Sequence, residues 1–370
     1  MRNILTKFVT KGGTLFLKIP EKYRWHIPTA ALFFGFIFDF ITLGRPDQIY
    51  GNVIIAAHFV LSGGSIILLN IRKARGEDSM ILPLTTIMQF SFGSLASALL
   101  LFYGQSGTLS GNWPFLTLLI ALLIGNERAH SRYALALFHV TIFYLLLFAY
   151  FALVIPIALD SIGTGVFLWS GVVSLIAIAC FLGFLYVMVP KQTRANLSSL
   201  LWSILIVFCT MNALYVFNLI PPVPLALRSI DMYHHVSRIG ADNYEVLYEP
   251  GPRDSWRKYF PFYSPFFRYV SGQNVYCFSS VFAPTGLSTP VRHRWQHFDE
   301  DTHEWVTEGL ISFPIRGGRG EGYRGFTIKK IDQEGLWRCS VETERGLLIG
   351  RTSFRGIEVR ESPQLVSEAR

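Results

Sequence analysis

Seven stretches of roughly 20 almost entirely apolar residues dominate the first 220 positions of the chain, at 27–43, 52–71, 81–103, 107–125, 133–159, 165–189 and 197–219. A hydrocarbon layer about 30 Å thick is crossed by about 20 such residues in a helix, because only a helix or a closed barrel satisfies its own backbone there. The stretches therefore read as about seven spans of an α-helical membrane bundle. The fourth is the least regular. Its dense apolar run starts at Trp113, and just Gly104, Gln105 and Ser106 part it from the third, which fits either a tight helical hairpin or a re-entrant loop.

The charges support two differently solvated parts. Overall the chain is 51% hydrophobic, only 16% charged, and carries a net charge of +8. Up to residue 224 there are 14 Lys and Arg and 7 Asp and Glu; beyond it there are 19 and 18. The second part alone has the roughly 25% charged content of a water-soluble fold. Basic residues also alternate between loops. Arg2, Lys7, Lys11, Lys18, Lys22 and Arg24 precede the first stretch, and Arg72, Lys73, Arg75, Arg128, Arg132, Lys191 and Arg194 fall in the second, fourth and sixth loops, whereas the first, third and fifth hold only Arg45. Lys and Arg accumulate on cytoplasmic flanks, so the amino terminus is expected inside and residues 225–370 outside the cytoplasm. The excess positive charge thus reports orientation, and nucleic acid is not an expected partner. The bilayer is.

The organisation expected is a basic amphipathic segment at 1–26, a seven-span domain at 27–220, a Pro-rich exit at 221–231 and a β domain at 232–370. In the first segment Ile4, Leu5, Phe8 and Val9 interleave with Lys7 and Lys11, which suits an interfacial helix or a frayed basic tail. The basic stretch runs into the first span with no short apolar core and cleavage site, so that span is expected to be its own insertion signal. At the exit, Pro221-Pro222-Val223-Pro224 cannot continue a helix. Beyond it, apolar residues alternate with period two at 232–238, 244–249, 275–283, 291–298, 305–315, 323–331, 336–343 and 347–359. Short strands at regular spacing with Gly, Asp or Glu-Arg-Gly turns indicate an all-β, antiparallel, sandwich-like soluble domain. The clearest hairpin puts Trp337, Cys339 and Val341 on one face, turns at Glu344-Arg345-Gly346, and returns with Gly350, Thr352 and Phe354. The aromatic run 259–267 suits contact with the outer interface or a cap on the sandwich.

Ionisable residues at membrane depth are functional candidates by default, and Asp39, His58 and His139 lie inside the apolar stretches. They suit a proton or ion path, or single interhelical hydrogen bonds with Asp39 reaching toward Arg45. Cys180 and Cys209, also within spans, are read as small hydrophobes. In the β domain, Cys277 and Cys339 form either a disulfide or two buried thiols. The run Arg316-Gly317-Gly318-Arg319-Gly320-Glu321-Gly322-Tyr323-Arg324 contains a GxGxxG, yet a strand rather than a helix follows it, which removes the dinucleotide reading. Glycine backbone NH groups with Arg forks can instead hold a phosphate or uronic carboxylate, so Arg316, Arg319, Tyr323 and Arg324, with Trp295 and Trp337, are the candidate ligand-binding residues; a Gly-rich hairpin loop is the plain alternative. His293, His297 and His303 lie among Asp299, Glu300, Asp301 and Glu304, but residues four apart on a strand are about 13 Å from each other, too far to share one ion. No metal, cofactor or catalytic constellation is expected.

Several local patterns occur together: Phe38-Asp39-Phe40-Ile41-Thr42-Leu43-Gly44-Arg45-Pro46-Asp47, the Pro-rich exit, His293-Arg294-Trp295, Gly317-Gly318-Arg319, Gly322-Tyr323-Arg324, Gly335-Leu336-Trp337-Arg338 and a final segment from Gly350 to Phe354. In this combination the chain resembles uncharacterised bacterial multi-span membrane proteins carrying the C-terminal domain of unknown function numbered twenty-nine fourteen. The resemblance implies an inner-membrane protein with a periplasmic β domain and hands over no catalytic residues. The expected function is an anchored binding or adaptor module whose β domain engages an envelope glycan or a periplasmic or membrane protein. The alternative is a transporter or intramembrane enzyme using the polar residues of the bundle.

Overall fold

The computed structural model describes residues 26–42, 47–77, 80–106, 115, 117, 118, 120, 132–240, 243–250 and 265–370. Among them are six helices: α1 His26–Thr42, α2 Ile49–Arg75, α3 Ile81–Gln105, α4 Arg132–Ala158, α5 Thr164–Met188 and α6 Pro190–Val216. Five, α2 to α6, are long and apolar enough to cross a membrane. At 1.5 Å per residue the 17 residues of α1 reach only about 26 Å, short of a full hydrocarbon layer. The fourth apolar stretch and the segment 1–25 fall outside the described residues, apart from isolated positions. Of the seven expected spans, the described residues thus show five long apolar helices and one short one, and the fourth lies outside them.

The helix ends follow from local chemistry. Arg72, Lys73 and Arg75 occupy the last turn of α2, where the C-terminal carbonyls favour cations. Gly76 follows in the left-handed region at φ 70°, its NH donating to the Lys73 carbonyl while Glu77 NH donates to that of Arg72. Helix α6 starts seven residues earlier than the apolar run suggests because Pro190 supplies a preset first helical position. Trp169, Ile176, Phe184, Trp202 and Ile206 on α5 and α6 are exposed, as expected where the surrounding solvent is hydrocarbon. Cys180 and Cys209 are exposed on these same two helices.

Within the bundle, small residues set the approach of neighbours, since lipid removes the hydrophobic drive between helices. Gly171 packs against the rings of Phe148 and Phe208, and Ser174 Oγ lies 3.4 Å from Tyr144 Oη. The tightest crossing is between α1 and α3. A Cβ built on Gly93 collides with the Leu32 carbonyl oxygen, one on Gly35 collides with that of Phe90, and Ser94 Oγ donates to the Gly35 carbonyl at 3.2 Å. Gly93→Val is therefore expected to part these helices and cost roughly 3 kcal/mol or more of bundle stability. A thermal unfolding midpoint in detergent unchanged from the native chain would refute this.

The second unit contains eleven strands: β1 Ala226–Tyr233, β2 His235–Arg238, β3 Tyr244–Tyr248, β4 Phe266–Tyr269, β5 Asn274–Phe282, β6 Ser288–Asp299, β7 Glu304–Arg316, β8 Tyr323–Lys330, β9 Gly335–Thr343, β10 Leu348–Glu358 and β11 Val366–Ala369. They form a five-stranded sheet β4-β10-β9-β6-β7 and two three-stranded sheets, β1-β5-β8 and β11-β3-β2. The pairs are antiparallel except β4 with β10, which is parallel, so the expected purely antiparallel domain is in fact mixed. Strand β1 begins at Ala226, inside the stretch expected to be linker.

Strand β5 explains the layering. Eight of its nine residues are buried, as for a strand covered on both faces. On one face Val275 and Cys277 meet Trp295, Trp337, Cys339 and Phe354 of the five-stranded sheet. On the other, Tyr276 and Phe278 meet Tyr233, Val236, Tyr244 and Val246. Cys277 and Cys339 are joined as a disulfide with Cα atoms 6.5 Å apart, tying two sheets across the first of these cores. The β9–β10 hairpin has the expected register, with Thr352 opposite Cys339, Phe354 opposite Trp337, and Gly346 at φ 82° in the turn. Of the aromatic run, 259–264 fall outside the described residues. Phe266 is exposed, while Phe267 packs on Phe354 and caps the core.

Candidate functional site

Strand parity sorts the candidate residues. On β6 the inward positions are Val291, His293 and Trp295, so Arg292 and Arg294 point outward. Trp295 and Trp337 are 0% and 1% exposed, and their indole NH groups donate to Thr327 Oγ1 and the Gln333 carbonyl. They belong to the core and cannot touch a ligand, which corrects their assignment as binding residues. In the Gly-rich loop, Arg316 and Arg319 are exposed and Tyr323 and Arg324 half-buried, with the Arg319 guanidinium 5.2 Å from the Tyr323 ring centre. The NH groups of Gly317, Gly318 and Gly322 donate to the carbonyls of Leu287, Ala283 and Arg319. Those three donors are engaged by carbonyls of the protein and are not free to hold a phosphate.

A different basic surface emerges from cross-strand register. On the outer face of the five-stranded sheet, Arg294 lies opposite Ser340, which lies opposite Arg351; Gln296 lies opposite Arg338, which lies opposite Ser353. Arg292 and Arg355 extend the face at its ends by the same parity. On β6, β9 and β10, five arginines therefore share one sheet face with one acid, Glu342. Glu342 is 7% exposed and sits between Arg294 Nε at 2.9 Å and Arg292 Nε at 3.4 Å. Arg338 Nε donates to Gln296 Oε1 at 2.8 Å, and its guanidinium lies 3.9 Å from the centre of the Trp305 ring, which holds the fork flat. Burial first, then the neighbouring Arg351, pull the Arg338 guanidinium down to about 10, so it stays charged at neutral pH in a crowd of like charges. Such a face suits carboxylate or phosphate groups, which Arg grips through two parallel hydrogen bonds. Sequence reasoning missed it, although Arg-x-Arg at 292 and 294 on an alternating strand was the available signal.

His293 is wholly buried beside the disulfide. Its Nε2 lies 2.8 Å from Ser279 Oγ and its Nδ1 2.8 Å from Thr327 Oγ1. Burial pushes the imidazole down to about 3, so it is neutral. Ligand atoms of Cys277, His293 and Cys339 all lie within 4.8 Å of one another. With the two sulfurs bonded to each other, neither is the thiolate a zinc ion takes. His297 Nε2 is instead engaged with the Glu334 carbonyl at 3.1 Å, and His303 lies at φ 58° in the turn before β7.

Among the intramembrane candidates the structure brings two together. His58 Nε2 lies 3.8 Å from Asp39 Oδ2, and both residues are buried. His139 is buried separately, with its ring 6.5 Å from that of Phe92.

No curated protein matches the chain. Solved structures that match it are distant: a beta-glucosidase from Listeria innocua in complex with gluconolactone, at 8% identity over 35% of this chain with a TM-score of 0.19, and Pseudomonas fluorescens alkylpurine DNA glycosylase AlkC bound to DNA containing an abasic site analog, at 10% identity over 85% of this chain and 100% of that chain with a TM-score of 0.20. The chain spans 16% of the length of the beta-glucosidase. Likeness this low says nothing about fold or function. The informative match is to a family: residues 288–355, from the start of β6 through most of β10, match the family described as Protein of unknown function (DUF2914), and all five arginines of the face fall within that match.

Proposed function

We propose that this is a membrane-anchored binding protein of the bacterial inner membrane, whose β domain lies on the periplasmic side and holds an acidic envelope glycan on its Arg face. The observation that carries the reading is the set of five arginines that β6, β9 and β10 place on one sheet face with one, already paired acid. Charge complementarity selects the occupant: carboxylates or phosphates along a glycan meet successive guanidinium forks, and the ring of Trp305 offers a flat surface beside them. The basic loops favour the same orientation, placing the amino terminus in the cytoplasm. A reporter fused to the carboxyl terminus tests that side.

The binding test uses the full chain in detergent and immobilised polysaccharides, one rich in uronic acid and one neutral. Retention on the acidic polymer alone, weakening with salt, is expected. Each lost charge-assisted contact is worth about 1.5 kcal/mol or more, so Arg338→Ala with Arg351→Ala should weaken binding about 100-fold. Arg319→Ala in the Gly-rich loop should leave it unchanged. Equal retention on the neutral polymer, or full binding by the double variant, removes the reading; capture of an acidic protein instead would reassign the face to a protein partner.

A further inference from the structure

We propose that Asp39 and His58 together hold one exchangeable proton inside the helical unit. Asp39 is fully buried on α1, three residues from its end, and beyond the neighbouring Ser94 hydroxyl its carboxylate oxygens have no hydrogen-bond partner among the described residues. His58 on α2 is 7% exposed, its Nε2 is 3.8 Å from Asp39 Oδ2, and its Nδ1 is likewise unpartnered. Two ionisable groups this close, both withdrawn from solvent, titrate as one unit, because leaving an unpaired charge at membrane depth costs several kcal/mol.

The surroundings select a proton over a metal ion. The site offers two carboxylate oxygens and one imidazole. The nearby Ser94 hydroxyl donates to the Gly35 carbonyl, and the Phe90 ring packs 5.6 Å from that of His58. Hard cations take six or more oxygens and zinc takes four ligands, more than this set supplies. Asp39 is the one carboxylate within the described helices. Helix α3 contains no Asp, Glu, Lys, Arg or His; α1 has only His26 at its far end; α2 has Tyr50 before the pair and Arg72, Lys73 and Arg75 about 20 Å beyond it; and on α4 the ring of His139 faces Phe92. On α2, Ser62 and Ser65 are buried on the same face as His58, and Ser62 Oγ donates to the His58 carbonyl at 2.7 Å.

A hydrophobic carbodiimide, which reacts with a protonated carboxyl in an apolar phase, tests this on the full chain in phospholipid vesicles, with the labelled residue located by peptide mass spectrometry. Asp39 should be labelled, the labelling should fall about tenfold per pH unit above its midpoint, and His58→Gln should displace that midpoint by about one pH unit or more. Asp39 unlabelled at every pH, or an unmoved midpoint, overturns the proposal. Should His58→Gln fail to fold, infrared spectra of the native chain decide. The carboxyl carbonyl band and the imidazole ring bands should change over the same pH interval. A carboxyl band that titrates with the imidazole bands fixed overturns the proposal equally.

Discussion

Replacing both Cys277 and Cys339 by alanine is expected to destabilise the β domain by roughly 4 kcal/mol, the loop-closure entropy that a bond across some 60 residues removes from the unfolded chain. The position of the bond makes the effect specific. It joins β5 to β9, strands of two different sheets, at the centre of the cluster formed by Val275, Trp295, Trp337 and Phe354. Without it, closing those sheets on each other depends on apolar burial and on the hydrogen bonds of His293 and Trp295 to Ser279 and Thr327. Hydrogen exchange in the intact chain reads this locally: amides of β5 and β9 should open roughly a thousandfold more often, while those of α4 keep their protection. Both sulfurs are 0% exposed, so a thiol reductant should act on the native protein only as fast as the domain opens, and added urea should accelerate reduction. Unchanged exchange in the double variant would show that the packed core holds the sheets without the covalent tie.

Much of this arrangement is written locally in the chain. Period-two alternation of residue types locates β5 to β10, and the turn glycine at 346 sets the register of the last hairpin. Strands β4 and β11 are four residues each, too short for a period to declare itself, and β4 pairs in parallel with a strand some 90 positions away, which no local rule encodes. The same limit hid the Arg face. Its members sit on β6, β9 and β10 and become neighbours only through cross-strand register. The misassigned tryptophans differ in kind, because the information was present. Arg294 and Trp295 are adjacent on a strand, so one outward guanidinium already requires an inward indole. In the bundle, Asp39 and His58 were each visible as polar residues in apolar runs. Their pairing depends on how α1 and α2 are rotated toward each other, which no local pattern encodes, while His139 has an equivalent sequence signal and a different neighbour.

Acidification should weaken the β domain well before its carboxylates protonate, and His293 is the cause. In the fold its imidazole is held neutral near 3, against an ordinary value of 6.5, because burial between Ser279 and Thr327 disfavours the cation. Between those two values the unfolded chain binds a proton that the folded chain does not. Stability is therefore full above about pH 6.5 and falls by about 1.4 kcal/mol per pH unit below it, reaching roughly 2–3 kcal/mol lost at pH 4.5. Asp299 acts in a separate window: backbone NH groups of Asp301 and Thr302 hold its carboxyl below 3.8, so its share disappears only at more acid pH. The urea midpoint of the full chain in detergent, followed through the near-ultraviolet signal of aromatic groups such as Trp295 and Trp337, should drop accordingly from pH 7 to 4.5. His293→Gln keeps a polar group between the two hydroxyls but cannot titrate. It should be less stable at pH 7, by about 1–3 kcal/mol for imperfectly satisfied hydroxyls, and should lose the acid slope. A slope that survives in His293→Gln would place the titrating group elsewhere in the domain and leave the buried imidazole as a purely structural bridge.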